Sequence, residues 1–216
     1  MHRERKMYML TDYEREVAIT LVEALCEYGL TDHLAQYGEH GTENWFDECM
    51  LNTFGFYAAG GASKVCIWHG DLCGWVIKVG YTEKVAIDYA AREYEVYCAA
   101  KEEGLECYFP KTEFLGTFNG RAFYVQEYAD CDENQVTSEW YERVSDRFEE
   151  LGEEYDDDTV WCEIDCLDDW EKAQLSFHDE RLCNFLMDNR VGDLHEGNFG
   201  YIGDRMVIVD FSGWHQ

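Results

Sequence analysis

Proline is almost missing from this chain. Pro110 is the only one in 216 residues, and neither a low-complexity linker nor an internal repeat is visible, so strings of linker-joined pieces and repeat arrays are excluded. Positive charge is scarce as well: Lys and Arg number 17 against 46 Asp and Glu, a formal net charge of −29. Such a surface repels a nucleic-acid backbone and an anionic membrane, so direct binding to either is not expected, whereas basic partners are favoured. No apolar run is long enough to span a bilayer, and the polar residues 1–6 lack the apolar core of a signal peptide. A cytoplasmic protein is therefore expected. Cysteine is plentiful but unpatterned. The ten are scattered with no CxxC, and Cys162 and Cys166 stand at a helical offset with no histidine at ligand spacing. The ten do not read as a disulfide scaffold, and Cys162 and Cys166 read as core thiols and not as a zinc site.

What is present is material for a core. Hydrophobic residues make up 46% and aromatics 16%, too rich for a disordered chain despite the charge. The length fits one domain, or one domain of two small lobes. Much of the acidic excess lies within 130–169, including Glu149, Glu150, Glu153, Glu154, Asp156, Asp157 and Asp158. A run of this kind forms either a solvated face or a surface for a basic partner, and both readings stay open.

Periodicity divides the chain into a helical start, a β-rich stretch and a helical remainder. Thr11-Asp12 caps a helix in which Val17, Ala18, Leu21, Val22, Leu25 and Cys26 recur at helical spacing, up to Gly29. Shorter helices are expected over 32–36 and 43–51. Strands are expected over 54–59, 63–69 and 74–80, then a helix over 83–103 stopped by Gly104. Two further strands, 111–118 and 122–127, flank a tight Asn119-Gly120 turn. Helices over 138–151 and 167–189 lead to a loop over 191–198. Two short strands, 199–202 and 205–209, close the pattern across Gly203-Asp204.

The sharpest chemical signal lies near the end. Gly192-Asp193-Leu194-His195-Glu196-Gly197-Asn198 is followed, across that hairpin, by Val207-Ile208-Val209-Asp210-Phe211-Ser212-Gly213. Phosphoryl transfer needs an acid that orients the nucleophile's proton and oxygen ligands that hold Mg²⁺ on the phosphates. Asp193 suits the first task, Asn198 and Asp210 the second. Upstream, Lys78 sits in an apolar strand between Ile77 and Val79, where burial is costly unless the lysine meets anions such as phosphate oxygens and a carboxylate. The helix that follows offers Glu93 for that role, with Glu95 as the competing choice. Ahead of the lysine, Gly60, Gly61, Ala62, Ser63, Lys64 and Val65 make a glycine-containing turn whose backbone can pack over phosphates.

The order of glycine turn, strand lysine, helix glutamate, Asp-x-x-x-x-Asn loop and strand-borne aspartate resembles the protein-kinase-like superfamily. The resemblance covers about 54–213. Tyr124-Val125-Gln126-Glu127-Tyr128-Ala129 is similar to the strand entering a kinase hinge. That implies a gatekeeper role for Gln126 and adenine contacts from the backbone of Glu127 and Tyr128. The loop is closer to aminoglycoside- and choline-kinase types than to eukaryotic protein kinases, which carry an arginine at the Gly192 place and usually a lysine at the His195 place. The resemblance implies that His195 contacts the nucleotide. The layout is also similar to compact kinase-like proteins of bacteriophages. Val191 replaces the usual first histidine of the loop, and with three residues after Gly213 no activation segment is expected.

The implied fold is α+β and two-lobed. It has a helical extension over 1–53, an N-lobe of sheet and one helix over 54–129, and a minimal helical C-lobe over 130–216. The implied activity is ATP-dependent phosphotransfer, with ATP and Mg²⁺, from the ATP γ-phosphate to a hydroxyl of a protein (basic in character) or of a small molecule. A different class stays open beside it: a kinase-fold binding protein whose acidic surface imitates DNA or blocks a basic, nucleic-acid-binding target.

Overall fold

A computed structural model describes residues 10–60, 63–81, 88–131, 133–151 and 157–212. These residues form a mixed α+β protein with eight helices, a five-stranded antiparallel sheet and a two-stranded ribbon. They divide into two compact units. One runs to Tyr94 and adds Thr112–Glu127; the other combines Glu95–Lys111 with the chain from Tyr128 onward.

The first unit opens with α1 (Asp12–Glu27), α2 (Leu30–Trp45) and α3 (Leu51–Phe54). Thr11 caps α1 reciprocally: its Oγ1 accepts from the Glu14 amide at 3.2 Å, and its own amide donates to Glu14 Oε2 at 2.7 Å. Two separate helices are expected over 32–36 and 43–51. Instead the chain stays helical from Leu30 to Phe54, with one wider π-turn at Phe46–Met50. The energetics favour this. Each helical glycine costs about 1 kcal/mol, while burying Leu30, Leu34, Phe46 and Met50 returns about 1.5–3 kcal/mol each.

The sheet follows, in the order β1-β2-β3-β5-β4. Its strands are β1 (Phe56–Gly60), β2 (Lys64–His69), β3 (Trp75–Gly80), β4 (Thr112–Phe118) and β5 (Arg121–Glu127), close to the expected spans. Asn119 and Gly120 both take positive φ, 48° and 80°, the geometry a two-residue hairpin demands. Register sorts the side chains by face. Val65 pairs with Val79, Ile67 with Ile77, and Ile77 with Val125. These residues and Phe123 pack with Leu21, Val22 and Leu25 of α1 and with Leu30, Phe46 and Met50. Arg15 ties α1 to β4 through Glu113 at 2.6 Å. The alternating positions Lys64, Cys66, Lys78, Tyr124 and Gln126 therefore share the other face.

Helix α4 (Tyr89–Glu103) begins where Asp88 Oδ1 accepts from the amides of Ala90 and Ala91, at 3.0 and 3.2 Å. It ends at Gly104, whose φ is +72°. The expected first turn over 83–87 lies outside the described residues.

The second unit holds α5 (Glu133–Leu151), α6 (Asp157–Cys166), α7 (Asp169–Phe177), α8 (Glu180–Asp188), β6 (Phe199–Ile202) and β7 (Arg205–Ile208). Its core gathers Val96, Phe109, Trp140, Val160, Ile164, Leu182, Phe185, Phe199 and Phe211. One helix over 167–189 is expected from periodicity, and the structure has two. His178 turns left-handed (φ 53°), and Asp179 Oδ1 restarts the helix by accepting from the Arg181 amide at 2.8 Å. The reading of Cys162 and Cys166 as core thiols is also corrected. Both are exposed, because α6 buries Val160 and Ile164, and a two-residue offset puts the cysteines on the opposite side of the helix.

Candidate functional site

In the first unit, β3 brings Lys78 to the polar side of the sheet at 4% exposure, and α4 brings Glu93 to it at 1%. Lys78 Nζ donates to Glu93 Oε2 at 2.8 Å. Glu95, the competing carboxylate, is exposed. The two-residue offset along α4 decides between them, since Val96 and Tyr97 fix which side of the helix is buried. A second lysine reaches the same carboxylate: Lys64 Nζ lies 3.2 Å from Glu93 Oε1 and is 4% exposed. Gln126 Nε2 donates to Thr112 Oγ1 at 2.9 Å and lies 3.4 Å from Glu93 Oε2. Glu93 is thus the hub of a buried polar group in which each oxygen faces an ammonium.

The remaining turn and hinge residues fall in different settings. Gly60 ends β1, Ser63 precedes β2 and Lys64 begins it; Gly61 and Ala62 lie outside the described residues. Val65 turns its side chain away from Lys78, into the apolar core. Glu127, half-buried, ends β5, and Tyr128, half exposed, begins the second unit's main segment.

In the second unit, Val191 is buried and returns its amide to Leu186 O at 2.9 Å, which ends α8 cleanly before the loop. Asp193 takes a left-handed conformation, φ 61°, one that Asp tolerates better than most residues. Asp169, in the first turn of α7, holds it there. Its Oδ2 accepts from the Asp193 amide at 2.9 Å, and its Oδ1 from the Leu194 amide at 2.8 Å. Gly192 lets the two segments approach, since a Cβ there would stand 3.2 Å from Asp169 Oδ2. Asn198, buried, donates from Nδ2 to Asp193 O at 2.5 Å, so one side chain spans the ends of the Asp-x-x-x-x-Asn loop. His195 is exposed, and its Nδ1 accepts from the Gly197 amide at 3.1 Å.

The ribbon then delivers Asp210. Val209 donates to Asn198 O at 2.9 Å, which sets the following residue, Asp210, beside the loop end. Ser212 Oγ donates to Asp210 Oδ1 at 3.0 Å, while Phe211 anchors the segment edge-on to Phe109, with centroids 4.9 Å apart. Asp193, Asn198 and Asp210 are thereby gathered by one hydrogen-bonded loop and ribbon. No group of three or more His, Cys, Asp or Glu side chains forms a metal cage among the described residues. Mg²⁺ held on a nucleotide needs no such cage, because phosphates and water supply most of its six oxygens and the protein one or two. Asn198 and Asp210 fit that demand.

One residue, Asp169, and the side-chain role of another, Lys64, were missed in the sequence. Lys64 was legible only as part of a turn, although the alternation of β2 against β3 sets it on the face of Lys78. Asp169 was hidden inside a helix drawn too long, although Asp168-x-x-Glu171 is a start signal, with the Asp168 amide donating to Glu171 Oε2 at 3.0 Å. Compared with known proteins, the chain matches no family model, no curated protein and no solved structure.

Proposed function

We propose that this chain is an ATP-dependent phosphotransferase with a two-lobed, kinase-like fold. The observation that carries the reading is the buried Lys78–Glu93 pair, 2.8 Å apart. Taking two charges out of water costs several kcal/mol each before their attraction is counted. A pair of this kind is a poor way to gain stability and a good way to hold a lysine ready for phosphate oxygens. The Asp193, Asn198 and Asp210 arrangement supplies the complementary chemistry.

In this reading Lys78 binds the ATP phosphates, and Glu93 fixes its ammonium. Asn198 and Asp210 would hold Mg²⁺, whose charge would neutralise the phosphate oxygens. The acceptor hydroxyl oxygen attacks the γ-phosphorus in line, the bond from that phosphorus to the β–γ bridging oxygen breaks, ADP leaves, and Asp193 takes the hydroxyl proton. Gln126, Glu127 and Tyr128 would bound the adenine, and His195 would contact the nucleotide. Positioning and charge stabilisation carry nearly all of such catalysis. The net charge of −29 favours a hydroxyl on a basic protein segment as the acceptor.

The same charge favours a second reading, a binding protein that engages a basic target without turnover. Incubation with γ-labelled ATP and Mg²⁺ separates the two. Label transferred to the chain, to a basic protein or to water, and lost in Asp193→Asn, supports the transferase. No transfer and no hydrolysis beyond the Asp193→Asn background leaves the binding protein.

A further inference from the structure

Lys64 and Lys78 stand on neighbouring strands with their side chains on one face of the sheet. Lys64 pairs with Gly80 and Cys66 with Lys78, so the two lysines are diagonal neighbours in the ladder. Both are 4% exposed. Each approaches a different oxygen of one carboxylate, Lys64 at 3.2 Å from Oε1 and Lys78 at 2.8 Å from Oε2 of Glu93. The two approaches differ in kind. Lys78 donates a hydrogen bond, whereas Glu93 Oε1 accepts none, so Lys64 is held by charge at that oxygen and not by a directed bond.

We infer that Lys64 is a second phosphate-binding lysine, and that Glu93 organises both ammonium groups for one polyphosphate ligand. The inference rests on the phosphotransferase reading of Lys78 and Glu93. Its physical basis is the shared carboxylate and shared face. A lysine stem is long and flexible, and immobilising it costs side-chain entropy as well as desolvation. The arrangement that fixes Lys78 for a phosphate fixes Lys64 toward the same ligand. A nucleoside triphosphate offers several adjacent anionic oxygens, enough for two ammonium groups, whereas a nucleoside monophosphate offers a single phosphate. Lys64 therefore serves discrimination by phosphate number: it strengthens ATP and ADP binding much more than AMP binding.

Calorimetric titration of the full chain with MgATP, MgADP and AMP tests this on the wild type, Lys64→Met and Lys78→Met. Lys64→Met leaves the Lys78–Glu93 pair in place. It should weaken MgATP about tenfold, the scale of one lost charge-assisted hydrogen bond, and leave AMP nearly unchanged, so that the ATP-to-AMP preference collapses. A purely structural role for Lys64 would weaken all three nucleotides alike, and that result overturns the inference. Wild-type binding that Lys78→Met abolishes and Lys64→Met leaves untouched also overturns it, while sparing the phosphotransferase reading. A wild type that binds no nucleotide removes both. If Lys64→Met does not fold, an acyl-phosphate derivative of ATP on the wild-type chain serves instead. A lysine amine beside the phosphates attacks the acyl carbon, the acyl–phosphate oxygen bond breaks, ATP leaves and an amide remains. Mass spectrometry should find that amide on Lys64 as well as Lys78. Label on Lys78 with none on Lys64 contradicts the inference.

Discussion

Asp169 grips Asp193 from 24 residues upstream, its two carboxylate oxygens taking the amides of Asp193 and Leu194 at 2.9 and 2.8 Å. The strained, left-handed backbone of Asp193 is thus held by a charge at the start of α7. Hydrogen bonds to a charged group are worth about 1.5–3 kcal/mol each, similar to the cost of the strain. Asp169→Ala should lower stability by about 2 kcal/mol. Asp169→Asn, which keeps an oxygen acceptor, should fold well but lose turnover about tenfold or more, because misplacing a catalytic group by a fraction of an ångström is costly. MgATP affinity should be unaffected. Asp169→Asn with wild-type kcat would show that the grip is structural only.

Asp193 and Asp210 should fail in different ways. On the phosphotransferase reading, Asp193→Asn should remove the group that takes the acceptor's proton, so nucleotide binding should persist while phosphotransfer drops by about two to four orders of magnitude. On the same reading Asp210→Asn should remove a metal ligand, so Mg²⁺-dependent binding of ATP should fall too. Titrating both variants with ATP, with and without Mg²⁺, separates the roles; equal loss of binding in the two contradicts the assignment.

How much of this was legible in sequence differs residue by residue. Thr11, Asn119-Gly120 and Gly104 act through the local backbone, so their cap, turn and stop were readable in place. Lys78 was readable because a charge in an apolar strand has to be accounted for. Lys64 was readable only as a residue of the phosphate turn, since its place diagonal to Lys78 depends on the β2–β3 register. Asp169 gains its role from a loop 24 residues away, which no helical period records. The helix break at His178 and the outward turn of Cys162 and Cys166 follow from packing of α6 to α8, where apolar periodicity alone ran on.

The Tyr108–Asp179 contact gives stability a pH signature. Tyr108 Oη donates to Asp179 Oδ2 at 2.6 Å. Burial first, then this bond, pushes the Tyr108 hydroxyl up to about 12 from its ordinary 10.0. The same bond holds the Asp179 carboxyl below its ordinary 3.8. A raised folded value contributes stability below the unfolded pKa and loses it as pH climbs; a lowered one contributes above its unfolded value and loses it as pH falls. The melting difference between wild type and Tyr108→Phe should therefore be level from about pH 5 to 9. It should shrink between the ordinary value of 10.0 and about 12, and again in acid below 3.8. A difference that stays constant through this alkaline range would contradict the pairing.

The acid-rich stretch 130–169 should act in recruitment and not in chemistry. Changing Glu149, Glu150, Glu153, Glu154, Asp156, Asp157 and Asp158 to their amides removes seven negative charges. Association with a basic peptide should slow, and its salt dependence flatten, since exposed charges act over a Debye length of about 8 Å at physiological ionic strength. ATP binding should remain. Stopped-flow association at two ionic strengths checks this, and unchanged rates would leave the stretch as a solvated face.

The proposed function requires nucleotide binding that depends on both Lys78 and Asp210, and the thermal melt of the wild-type chain with millimolar MgATP tests it most directly. A ligand at about a hundred times its Kd stabilises the native state by about 2.7 kcal/mol, which for a chain of this size raises Tm by about 5–10 °C. The account predicts that rise in the wild type and its near-complete loss in Lys78→Ala and in Asp210→Ala, each compared with its own nucleotide-free melt. An unchanged wild-type melt, or a rise that both variants retain in full, would contradict it.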